Sequence, residues 1–211
     1  MKKSLMIATL LIVSCVGSAA NAALLGLNNT GGSNWFVNGN PATVVTTPNA
    51  NWYQTGADPT KWISIQSDTN TGAPAAPGSY IFRQSFVGPA NLGSGAALNL
   101  QFQFLNDNTV EVDLNGTSLG PVFSSNFGTP VFAPNVLSVT NASLLNFGAS
   151  NTLTFKVTNL PDLGINPVGL WVNFTQQDYS LVVPEPASMS LWAGVCGLGF
   201  VVRRFRRSGK K

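Results

Sequence analysis

Residues 98–105 alternate apolar side chains (Leu98, Leu100, Phe102, Phe104) with amides (Asn99, Gln101, Gln103), the period-2 signature of a strand with one buried face. The same period returns at 109–114, where Val110, Val112 and Leu114 turn inward, and at 152–157, where Leu153, Phe155 and Val157 do so. Residues 80–86 read as a further strand. Shorter ones are expected at 35–37, 44–47, 52–53, 62–65, 117–123, 136–140, 169–174 and 179–183. Turn residues separate them: Asn38-Gly39, Asp58-Pro59, Asn106-Asp107-Asn108 and Asn115-Gly116, the last a two-residue hairpin of the I′ kind. Residues 23–32 read as a loose lead-in, and 67–78 as a Pro/Gly-rich loop with no apolar pattern. No apolar stripe of helical period and no internal repeat appears between 23 and 183. Eight or more short strands joined by turns predict an all-β, two-sheet antiparallel β-sandwich.

The two ends break this pattern. Met1 to Ala22 reads as a secretory signal helix: Lys2 and Lys3, an apolar core over 5–16, then Ala20-Asn21-Ala22 as an A-x-A site that leaves Ala23 as the new N-terminus. A rival inside it is a lipobox-like Ile12-Val13-Ser14-Cys15, with a short apolar core before Cys15. At the far end come Pro184-Glu185-Pro186, an uncharged apolar run over 187–202, and a basic tail over 203–211. Gly194, Gly197 and Gly199 interrupt that run; each costs about 1 kcal/mol in a soluble helix and is better tolerated in a membrane. At ~1.5 Å per residue the run reaches only about 24 Å, a short transmembrane helix. Arg203, Arg204, Arg206 and Arg207 are expected to stay cytoplasmic and retain it in the inner membrane.

The order Pro184-Glu185-Pro186, short Gly-containing helix, terminal Arg cluster resembles the PEP-CTERM sorting signal of Gram-negative bacteria. The likeness covers about the last 28 residues. It implies a membrane-embedded exosortase as processing partner, after signal peptidase and the Sec translocon, and display or release into an extracellular polysaccharide matrix or biofilm. An ordinary tail anchor with a proline-rich hinge is the plain alternative. Physically, both prolines fix φ and hold the segment extended, with Glu185 as its one charge. The middle strands are similar to a narrower group, the galactose-binding-domain-like jelly rolls. Tyr80-Ile81-Phe82-Arg83, Asn106-Asp107-Asn108, Val112-Asp113-Leu114-Asn115-Gly116, Asn151-Thr152-Leu153-Thr154-Phe155 and Gly169-Leu170 carry that likeness. It implies a sugar-binding fold, although many members bind nothing.

These ends change how charge is read. The chain is formally +3, yet residues 23–183 hold three basic residues (Lys61, Arg83, Lys156) against seven acidic ones, a net charge of −4. Nucleic acid is thereby disfavoured as a partner. Both cysteines, Cys15 and Cys196, fall in the ends, so no disulfide is expected in the domain, and there is no histidine. A serine triad or a common zinc-hydrolase site is excluded with it. Gly93-Ser94-Gly95 lacks the lysine of a phosphate loop.

Remaining candidates are few. Glu111 and Asp113 share a strand face about 6.6 Å apart, near the carboxyl spacing of glycoside hydrolysis, but an edge hairpin offers no cleft to part their pKa values. Asp107 with Asn108 offers oxygens for calcium or, more simply, a polar turn. Trp35, Trp52, Trp62 and Trp171 are either core or stacking platforms for sugar rings. Trp171 and Trp62 are the candidate carbohydrate contacts, Trp171 because Leu170 and Val172 alternate with it. No catalytic residue, metal or cofactor is expected. The expectation is an exported, non-enzymatic sandwich, with a secreted glycan-active enzyme and a ligand-free matrix protein as the rivals. Buried tryptophans would favour the ligand-free rival.

Overall fold

The computed structural model describes residues 23–54, 56, 58–89, 97–128, 132–161 and 166–180, all within one compact unit spanning Asn21–Val182. The predicted signal helix, Ala20, Ala22, Cys15, the Gly93–Gly95 loop and everything from Pro184 to Lys211 lie outside the described residues.

Among the described residues twelve strands follow in order: β1 (Ala23–Leu24), β2 (Trp35–Val37), β3 (Asn40–Pro41), β4 (Thr43–Val44), β5 (Ile63–Ser64), β6 (Gly78–Val87), β7 (Ala97–Asp107), β8 (Thr109–Leu114), β9 (Thr117–Ser118), β10 (Asn135–Val139), β11 (Ser150–Asn159) and β12 (Gly169–Ser180). One three-residue 3₁₀ turn, Ala142–Leu144, accompanies them. The first sheet runs β10-β7-β12-β5-β4 with β1 added alongside β12, and the second runs β3-β2-β6-β11-β8-β9. All of these pairings are antiparallel. Alternation did what the pattern requires: Leu98, Leu100, Phe102 and Phe104 of the first sheet and Phe82, Leu153, Phe155 and Val157 of the second are buried in one core. The rings meet across the sheets, Phe155 lying 5.7 Å from Phe102 and 5.8 Å from Phe104 between centroids.

The hairpins form where asparagine and glycine accept positive φ. Asn115 (φ 54°) and Gly116 (φ 79°) join β8 to β9, and Asn38 (φ 50°) with Gly39 (φ 85°) join β2 to β3. Asn106-Asp107-Asn108 differs from the expected turn. β7 and β8 belong to different sheets, so the chain crosses the sandwich here rather than folding back beside itself.

Three expectations are corrected. Tyr179 and Ser180 do not start a strand separate from 169–174; β12 runs through to Ser180 with a bulge between Phe174 and Gln176, and 181–183 lie outside the described residues. The strand after Gly116 is short, and Phe123 only touches Val110 through an isolated bridge. Nor is the lead-in loose. Leu25, Leu27 and Thr30 are buried, and residues 25–30 stitch the two sheets along one edge. Leu27 N donates to Gln177 Oε1 (2.8 Å) and Phe174 N to Asn29 Oδ1 (2.8 Å) in the first sheet. Asn28 exchanges both of its backbone groups with the buried Gln84 side chain of the second (3.0 and 3.2 Å). Cross-strand pairing of Ala23 with Tyr179 and Leu24 with Asp178 anchors the strap's start.

Candidate functional site

Trp171 leaves β12 on the outer side of the first sheet, directly paired with Leu105 of β7. A second layer covers both. Residues 45–62 fold over this end of the sheet and bring Val45, Trp52 and Trp62 into a separate apolar cluster with Leu105 and Trp171, flanked by Tyr53 and Phe127. Trp52 and Trp62 stack at 4.4 Å, and Tyr53 and Phe132 pack edge-on against Trp171 at 6.3 and 5.5 Å. Trp52 also presses on Gly169, where a Cβ would come within 2.3 Å of the ring, so only glycine fits beneath it.

This layer decides what the tryptophans do. Trp62 and Trp171 are each 1% exposed, and Trp35 and Trp52 are buried likewise. Every one of these four indole N–H groups donates within the protein: Trp35 to Asn28 O, Trp52 to Asp107 Oδ2, Trp62 to Tyr53 O and Trp171 to Thr60 O, at 2.8–3.3 Å. Trp171 thus caps the second face of its strand, one of the two outcomes its flanking residues allow. No ring face of Trp62 or Trp171 is open to a sugar in this structure, because each is stacked or sealed by neighbouring aromatics.

The acidic candidates separate in the same way. Asp107 is buried and accepts from Trp52 Nε1 (2.8 Å) and Asn108 Nδ2 (2.6 Å), while Asn108 Oδ1 accepts from Leu160 N (2.7 Å). These oxygens tie the aromatic layer and the β11 exit to the crossing between sheets. No group of three or more metal-ligating side chains occurs among the described residues. Glu111 and Asp113 point out from β8 onto the flat outer face of the second sheet. Glu111 pairs with Lys156 Nζ at 3.5 Å, both side chains over two-fifths exposed. There the carboxylates stand on an open surface rather than in a cleft.

On that outer face the outward side chains of the second sheet are exposed or half-buried among the described residues. The ladder registers fix its rows. One row reads Pro41, Phe36, Arg83, Thr154, Asp113, Ser118 across six strands, about 24 Å at ~4.8 Å per strand. The next reads Ile81, Lys156, Glu111, and on either side lie Ser85 with Thr152 and Ser79 with Thr158 and Thr109. All of these side chains are exposed or half-buried, and Phe36 is 44% exposed. Two of the three basic residues between 23 and 183 stand here. Ile81, Arg83 and Ser85 alternate along β6 with the buried Tyr80, Phe82, Gln84 and Phe86, an arrangement left unassigned from the sequence. What the sequence lacked was the register that sets them beside Phe36 and Thr154.

Comparison with known proteins gives little beyond this. No protein-family model and no curated protein matches the chain. Among solved structures, the enzymatically active domain of tailspike protein 4 from bacteriophage CBA120 is similar at 17% identity and a TM-score of 0.40, covering 75% of this chain and 21% of its own. Family 35 carbohydrate-binding modules are similar as well. The one from Paenibacillus barcinonensis has 16% identity and a TM-score of 0.34, with 76% and 100% covered. The one from Clostridium thermocellum has 14% identity and 0.34, with 74% and 98% covered. The chain spans about a fifth of the tailspike domain's length. Likeness of this degree carries no argument for a ligand; the sandwich stands on its own strand pairing.

Proposed function

We propose that this chain is an exported, non-catalytic β-sandwich protein that adheres to extracellular polysaccharide through the outer face of its second sheet. The observation that carries the reading is the row Phe36, Arg83, Thr154, Asp113 with Lys156 and Glu111 beside it. It presents an exposed ring, hydroxyls and both signs of charge in one plane, the groups that meet the apolar faces and hydroxyls of sugars. Central strands β6 and β11 have ladders on both sides, so the face offers side chains and no spare backbone pairing. An added peptide strand would seek an edge instead. Lack of a cleft around Glu111 and Asp113 supports a binding role over the glycan-active enzyme.

Export rests on the signal at 1–22, and display on Pro184, Glu185 and Pro186 as the segment an exosortase reads, with Arg203, Arg204, Arg206 and Arg207 holding the helix in the inner membrane until then. A ligand-free matrix protein is the second reading, favoured by the burial of Trp35, Trp52, Trp62 and Trp171. One experiment separates them. Protein recovered from the native host's surface is weighed by mass spectrometry, then run through gels containing that host's polysaccharide, beside a Phe36→Ala/Arg83→Ala/Lys156→Ala variant. The expected mass starts at Ala23 and lacks the C-terminal helix; the expected wild type is retarded and the variant is not, at equal melting temperature. An intact Lys211 sinks the processing, and equal mobility of the two proteins leaves the ligand-free reading.

A further inference from the structure

We infer that the polysaccharide taken by this face carries carboxylates, and that Arg83 is the group that reads them; this rests on the polysaccharide reading above. The three cations of the domain have different circumstances. Lys156 is engaged by Glu111 at 3.5 Å, and Lys61 Nζ donates to Gly56 O at 3.0 Å. Arg83, at the centre of the open face, has no acidic or carbonyl partner among the described residues. A guanidinium presents a rigid fork of donors that matches a carboxylate with two parallel hydrogen bonds, and it is more weakly hydrated than an ammonium. Its neighbours suit a sugar acid. The exposed Phe36 ring lies one strand away on one side and Thr154 one strand away on the other, with Ser85 and Thr152 in the adjoining row.

The acids on the face set a direction. Asp113 stands two strand spacings from Arg83, about 10 Å, and Glu111 lies beside it on β8. A carboxylate on the ligand is therefore drawn to the β2–β6 side and repelled from the β8 side, which orients the chain across the strands. Salt should act in an unusual sense. The domain is −4 overall, so a polyanion is repelled at long range and held only by the local fork. Screening within ~8 Å at physiological ionic strength removes the repulsion before it weakens the contact. Affinity is expected to rise from low to physiological salt, opposite to a basic patch.

The test measures binding of the surface-recovered protein, which by the processing proposed above lacks the basic tail over 203–211, to polygalacturonate and to the same polymer with its carboxyls reduced to alcohols, for wild type, Arg83→Gln and Arg83→Lys. Arg83 is exposed, so melting temperatures should be equal and losses attributable to binding. Arg83→Gln is expected to weaken polygalacturonate binding about 10- to 100-fold, the loss of a charge-assisted hydrogen bond, with Arg83→Lys in between. Binding of the reduced polymer should be weaker in wild type and unchanged by either substitution. Equal binding of both polymers by wild type overturns the carboxylate and leaves the polysaccharide reading standing. Binding of neither overturns both. Polyglutamate bound as tightly as polygalacturonate would show that charge alone is read and would overturn the sugar acid.

Discussion

The outer faces of the two sheets are built from strands of the same kind, yet they have opposite fates. Near Trp171 the first sheet is sealed by a second apolar layer, whereas the outward side chains of the second sheet are exposed or half-buried among the described residues. The sealed end holds Trp52, Trp62 and Trp171, the side chains that look most like a binding platform in isolation. The bare face holds one exposed phenyl ring, hydroxyls and four charges. Side-chain type is thus a poor guide to exposure in a sandwich; the deciding question is which connection folds back over which face. Here it is residues 45–62, the connection between the short paired strands β4 and β5.

Five substitutions sharpen that contrast. Trp171→Ala should cost about 3–5 kcal/mol, the range for emptying a buried aromatic site, whereas Thr154→Ala on the bare face should stay within about 0.5 kcal/mol. Chemical denaturation of both variants checks this, and comparable losses would mean the bare face is packed against something. A smaller effect is expected from Trp52→Phe. It keeps most of the stacked ring but removes the donor to Asp107, which should destabilise by about 1–3 kcal/mol. Asp107→Asn on that background should add little further, because the shared bond is already gone; additive losses would show that the two residues act separately. The smallest change belongs to Lys156→Ala. Its ion pair with Glu111 is more than a third exposed, so about 0.2–1 kcal/mol is expected at low salt, fading in 1 M salt.

How far the sequence foretold this varies by segment. Residues 98–104 were legible because alternation is strict there, and Asn115-Gly116 because positive φ at both positions leaves few alternatives. The sealed face left a signal too. Alternation lapses at Phe104-Leu105, and Trp171 sits between Leu170 and Val172, so two strands each show apolar residues on both sides. Strands of that kind are buried twice over. Only the ladder, which sets Trp171 against Leu105, joins the two lapses into one site. The strap was misjudged because Asn28, Asn29, Thr30, Gly31 and Gly32 outweigh the period-2 pair Leu25 and Leu27. Its backbone N–H groups at Leu27 and Asn28 and the Asn29 side chain are what bind it, through partners 56 to 150 residues distant. Gln84 shows the same limit: an amide on the inward face of β6 looks like an error until Asn28 arrives to bond both its ends.

The pairing of Ala23 with Tyr179 reaches beyond stability. Cross-strand partners sit about 4.5–5.5 Å apart, so the chain enters and leaves this fold at nearly one point. A body whose entrance and exit coincide behaves as a cassette: it can be set into a loop of another protein without forcing that loop's ends apart, or have its ends joined and be reopened at a hairpin such as Asn115-Gly116. It also makes the choice of tether indifferent. Whether held by the residues before Ala23 or by those after Ser180, the sandwich is held at the same point, where β1 pairs with the end of β12.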